Sequence, residues 1–96
     1  MTVSVISRIN YYELIEPTLS DTQRTIYNII KSYPNGISSY HLIKILGKEH
    51  HKFSGRLSDL VKLDLIRVDR TVTIDGSTFG VWVNNIDENG NIINNP

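Results

Sequence analysis

Ser38 to Ile66 reads SSYHLIKILGKEHHKFSGRLSDLVKLDLI, and the spacing of its apolar residues predicts two short amphipathic helices meeting at Gly47. In the first, Leu42, Ile43 and Leu46 point inward with Tyr40 and Ile45 flanking, and Ser38 or Ser39 supplies the N-cap oxygen. Gly47 suits the positive backbone angle that ends such a helix. The second helix is expected over residues 49–63, where Phe53, Leu57, Leu60 and Val61 form the buried stripe. Glu49 at its start suits the positive end of the helix dipole. The opposite side of its first half carries Lys48, His51, Lys52 and Gly55, with Ser54 and Arg56 at the edges. Cationic and hydrogen-bonding side chains around a glycine suit close approach to a phosphate-bearing surface. Asp59 interrupts that face. Pairing with Arg56 or Lys62, three residues away, is favoured over acceptance from a cytosine amine.

Upstream, Ser20 and Gln23 have the spacing of a capping box, and Asp21 suits the first turn of a helix. Ile26, Ile29, Ile30 and Tyr33 then share one helical face until Pro34-Asn35-Gly36 stops it. Ile37 follows as a short extended link. Residues 1–17 are expected to form an N-terminal extension with a short helix around 7–15, ended by Pro17. Tyr11, Tyr12, Leu14 and Ile15 are too apolar for a free arm, so they pack on this domain or on a partner subunit.

Downstream of Leu65 the apolar period changes to two. Ile66, Val68, Val72 and Ile74 are expected on one strand face, Arg67, Asp69, Thr71 and Thr73 on the other. Asp75-Gly76 is a hairpin turn, after which Phe79, Val81 and Val83 resume the alternation. Arg70 breaks the apolar set, as at a bulge or the rim of a core. Trp82 points away from Val81 and Val83, which makes it an exposed contact residue or a lid over the N-terminal segment. Residues 85–96 read as an Asn-rich turn and tail in which Ile86 pairs near Ile92 or Ile93. Asp87-Glu88-Asn89-Gly90-Asn91 lacks the ligand spacing of a calcium loop.

The totals fit one small domain of 96 residues, 40% of them hydrophobic, with 14 Ile supplying much of the core. There is no cysteine, which excludes disulfides, thiolate metal sites and cysteine nucleophiles. No apolar run is long enough to cross a bilayer and no secretory leader stands at the N-terminus, so the expected setting is cytoplasmic. Net charge is zero, but unevenly spread. From His41 to Arg70, seven Lys or Arg stand against four Asp or Glu.

Three helices and a β-hairpin in this order resemble small winged helix–turn–helix proteins of phages, plasmids and bacterial or archaeal regulators, broadly MarR-like. The resemblance covers residues 19–83 and places the domain at 18–84. It rests on Gly47, five variable residues, then Phe53-Ser54-Gly55-Arg56-Leu57-Ser58-Asp59-Leu60 and Leu65-Ile66. Asp64 stands where such proteins usually have glycine. The resemblance implies an α+β winged helix–turn–helix fold with a three-helix core and a C-terminal hairpin wing. It also implies that His51, Lys52, Ser54, Gly55 and Arg56 face a major groove, with the wing tip, Thr73 to Thr78, near the DNA backbone.

The function expected from this is sequence-selective binding of double-stranded DNA, serving repression, replication or segregation of a virus or plasmid. The residues assigned to it are Lys48, His51, Lys52, Ser54, Gly55 and Arg56, with Ser39, Lys44 and Ser77 on the backbone. A homodimer is expected, extending to multimers along DNA. The wing departs from the pattern, since Asp75 stands at its tip and no Lys or Arg follows Arg70. The alternative is a winged helix that holds or inhibits another protein. An enzyme is not expected: His50 and His51 diverge on a helix, and no nucleophile elbow or phosphate-cradling glycine loop is present. Neither cofactor nor metal is implied.

Overall fold

The computed structural model describes residues 10–47 and 50–94, and for residues 50–54 the backbone alone. Helix α1 (Tyr11–Ile15) runs into a 3-10 turn (Glu16–Thr18). Helix α2 (Asp21–Lys31), strand β1 (Ile37–Ser38), helices α3 (Ser39–Leu46) and α4 (His50–Lys62), and strands β2 (Ile66–Ile74) and β3 (Ser77–Asn84) follow. The strands form one antiparallel sheet in the order β1-β3-β2. In outline this is a winged-helix-like α+β arrangement, several helices followed by a hairpin.

Short-range chemistry sets most of the boundaries. The Ser20 hydroxyl accepts from Gln23 N–H (3.2 Å) and Gln23 Oε1 accepts from Ser20 N–H (2.8 Å), a complete capping box at the start of α2. Of the two candidate serines, Ser38 is the cap of α3, accepting from His41 N–H, and Ser39 is the first residue of the helix. Helix α4 ends in a Schellman motif: Leu65 N–H donates to Leu60 O and Asp64 N–H to Val61 O. Asp64 takes the left-handed position of that motif at φ 63. The fully buried Leu60 and Leu65 supply the apolar contact that usually accompanies it. Asp75 and Gly76 both have positive φ, as a two-residue hairpin turn requires.

The core gathers Ile26, Tyr27 and Ile30 of α2, Leu42 of α3, Leu57 and Leu60 of α4, and Leu65, Ile66 and Ile86 beyond. Two residues expected there lie outside it. Tyr33 is 43% and Val61 40% exposed: α2 ends at Lys31, and Leu57 and Leu60 are the buried part of the α4 stripe among the described side chains, that of Phe53 lying outside them. Tyr27, one position round from the Ile stripe, is buried instead. Its hydroxyl donates to Asn84 Oδ1 at 2.8 Å, so burial leaves no unpaired polar group.

The hairpin also differs from strict alternation. Val68 faces Trp82 across the ladder but Arg70 faces Val81, so Asp69 is the extra residue of a β-bulge. The bulge moves the apolar residues of β2 onto two faces. Ile66 and Val68 lie opposite Asn84 and Trp82, whereas Val72 lies opposite Phe79 on the other face. Asp69 accepts from both Arg70 and Arg67, and the Arg70 hydrogen bond holds its carboxyl below the usual carboxylate range. Arg70 also donates to Asn35 O, pinning the turn before β1 against the sheet.

Trp82 is not an exposed contact, and residues 1–9 of the N-terminal segment lie outside the described residues. Trp82 lies half-buried on the Ile66 face, pairs across the ladder with Ile37, and donates from Nε1 to Ser39 Oγ. The opposite face, with Val81 and Val83, is covered by the turn at Gly36. A Cβ there would lie 2.5 Å from Val81 Cγ1, and φ is +99°, so glycine is required.

Both ends of the described chain pack on the domain. Tyr11 donates through its hydroxyl to Leu63 O (2.6 Å), and Tyr12 N–H to Gly90 O (2.9 Å). Ile86 bridges Ile92. Asp87 Oδ1 accepts from the backbone of Asn89 and Asn91, which uses that carboxylate to close a turn. Asn85 is buried, its amide nitrogen donating to Asp64 O and Asn94 O while its oxygen accepts from Asn94 N–H.

Candidate nucleic-acid interface

Among its described side chains, helix α4 buries one side. Leu57 and Leu60 enter the core, while Gly55, Arg56, Ser58, Val61 and Lys62 are exposed. Asp59 belongs to the flank toward α2: Gln23 Nε2 donates to its Oδ2 at 3.0 Å, and Arg56 Nη1 lies 3.5 Å from the same oxygen. The carboxylate expected to pair with Arg56 or Lys62 thus pairs with Arg56, and it also clamps α4 to α2. The Arg56 pair is long and exposed, worth about 0–1 kcal/mol. Arg56 gives up little by turning to a phosphate.

Gly55 stands in the interior of α4 with helical backbone, and a Cβ built there meets nothing within 4 Å. Neither packing nor a positive φ accounts for it. Glycine in a helix interior costs about 1 kcal/mol relative to alanine.

Positions 51, 52, 54, 55 and 56 all fall in the first half of α4. Lys48 lies outside the described residues, and the side chains of His51, Lys52 and Ser54 lie outside the described set. Of the backbone-contact residues, Ser39 is occupied within the domain: its hydroxyl accepts from Trp82 and lies 3.5 Å from Gly80 O. Lys44 is exposed, with its ammonium 4.4 Å from the Tyr40 ring centroid, a cation–π contact. Ser77 is exposed beside the hairpin turn, opposite Ile74.

Gln23 was not among the expected site residues, since its capping role accounted for it within α2 and nothing local announces its reach to Asp59. Among the described residues no group of His, Asp or Glu is placed to hold a metal ion, and no helix is long and apolar enough to cross a membrane. Compared with protein-family models, with curated proteins and with solved structures, the chain gives no match.

Proposed function

We propose that the chain binds double-stranded DNA sequence-selectively, with α4 in the major groove and two or more copies on each target. The observation that carries this is Gly55, an unforced glycine on the exposed side of the helix that the motif assigns to the groove. A partner approaching the α4 backbone closely gives it a reason that the domain itself does not. Arg56, His51, Lys52 and Ser54 supply base and phosphate contacts, with Lys48, Lys44 and Ser77 on the backbone. Ser39 contributes by positioning α3. Repression, replication and segregation of a virus or plasmid all fit such a reader.

The experiment is selection of bound sites from random duplexes, followed by titration of the selected site at several salt concentrations. Enrichment of one motif, with affinity falling steeply as salt rises, is expected. Absence of duplex binding at low salt would sink the proposal.

A second reading, a winged helix that holds another protein, is favoured by the zero net charge and by Asp75 at the hairpin tip. It predicts a partner whose affinity barely responds to salt.

A further inference from the structure

An open groove of about 690 Å³ lies on the sheet face away from the helical core. Val72, Ile74 and Val81, which share this face, contribute to its apolar lining. Tyr33 and Ile45 border it and are 43% and 48% exposed. The bulge at Asp69 makes the groove, by turning Val72 and Ile74 onto this face. No Asp or Glu lines it, whereas His41, Lys44 and Arg70 do. Asp69 pairs with Arg70 but does not line it.

The complement is present on the same chain. Leu14 of α1 is 61% exposed, the most exposed large apolar side chain among the described residues. Glu13 precedes it and Glu16, paired with Arg24, follows. Residues 10–19 contain no Lys or Arg. The two cannot meet within one chain, because the Tyr11–Leu63 and Tyr12–Gly90 hydrogen bonds pin α1 elsewhere and no α1 residue lines the groove.

We infer that Leu14 of one copy seats in the Ile45–Val72–Ile74 groove of the next, its acidic neighbours against Lys44 and Arg70. Such a contact joins two different surfaces, so it propagates head to tail rather than closing into a two-fold pair. On the DNA-binding reading, and only there, the copies would select directly repeated half-sites instead of a palindrome.

The contact itself is tested without DNA, by sedimentation of the full chain from micromolar to millimolar concentration. The average mass is expected to keep rising past that of a dimer. Leu14→Asp and Ile45→Asp, both at exposed positions, should each hold the chain at monomer mass with a cooperative melt retained. Leu14→Ser and Ile45→Ser serve if either acidic variant fails to fold. Mixed in equal amounts, the Leu14 and Ile45 variants retain one working junction between them and should form a 1:1 pair that grows no further. A monomer at every concentration, a wild-type mass that stops at the dimer, association surviving either substitution, or no pair in the mixture would each overturn the inference. Because no DNA is present, these outcomes stand apart from success or failure of the duplex titration.

Discussion

The Trp82 indole N–H donates to the Ser39 hydroxyl across 2.9 Å, and so ties the middle strand of the sheet to the first turn of α3. Ser39→Ala leaves a half-buried indole donor without this acceptor, a loss of about 1 kcal/mol. Trp82 is the single tryptophan of the chain, so its emission reports on this contact. The variant should show a shifted emission maximum together with a lower denaturant midpoint. An unchanged spectrum would mean that the contact is absent in solution.

Asp64 sustains the left-handed turn between α4 and β2 at φ 63. A β-branched residue tolerates that angle poorly, so Asp64→Val should lose about 1–2 kcal/mol. Asp64→Gly removes the steric cost but loosens the unfolded chain, and should leave stability within about 1 kcal/mol of wild type. Denaturant unfolding of the two variants checks the order, and a valine form as stable as the glycine form would contradict the turn geometry.

Burial raises the hydroxyl pKa of Tyr27 above its ordinary value near 10, and those of Tyr11 and Tyr12 rise for the same leading reason. The folded state therefore keeps these protons after the unfolded chain has released them. Their stabilisation is fully present below pH 10 and is lost as pH rises toward the folded values. Melting temperature should fall on the alkaline side, and Tyr27→Phe should flatten that fall while costing about 1 kcal/mol at neutral pH. Melts from pH 8 to 12 measure both effects.

What was legible in the sequence was local. The Ser20–Gln23 box, the Asp75-Gly76 turn and the Leu57–Leu60 stripe each depend on residues a few positions apart, whereas α2 stops at Lys31, short of the stop expected at Pro34-Asn35-Gly36. The other errors came from partners far along the chain. Tyr27 is buried because Asn84, 57 positions away, accepts its proton, and no helical wheel contains Asn84. Trp82 turned inward because β1 pairs with β3 and the start of α3, directly after β1, offers Ser39. Arg70 within an apolar run did announce a bulge, but which residues changed face depended on the register with β3. At the candidate interface, the spacing put positions 51 to 56 on the first half of one helix. The Gln23–Asp59 clamp that orients this helix is long-range and left no local trace.

Gly55→Ala should move two measurements in opposite directions. Helix α4 gains about 1 kcal/mol from the better helix former, since nothing within the domain obstructs the new methyl group. If α4 enters the groove as proposed, duplex affinity should fall, because the methyl would occupy the space between helix and DNA. Thermal melts and anisotropy titrations on one preparation give both values. A variant more stable and equally tight would remove Gly55 from the interface.

Strand β2 is one of the two outer strands of the sheet and runs for nine residues. A flat edge of that length is a template for pairing with a strand of any other chain, the first step toward fibrils. The extra residue at Asp69 twists this edge, and Arg67, Asp69 and Arg70 set three charges beside the kink. An incoming strand would have to desolvate those charges and follow an irregular ladder. The bulge therefore acts as a gatekeeper against amyloid-like stacking, leaving a chain rich in isoleucine free to crowd without its hairpins zipping together.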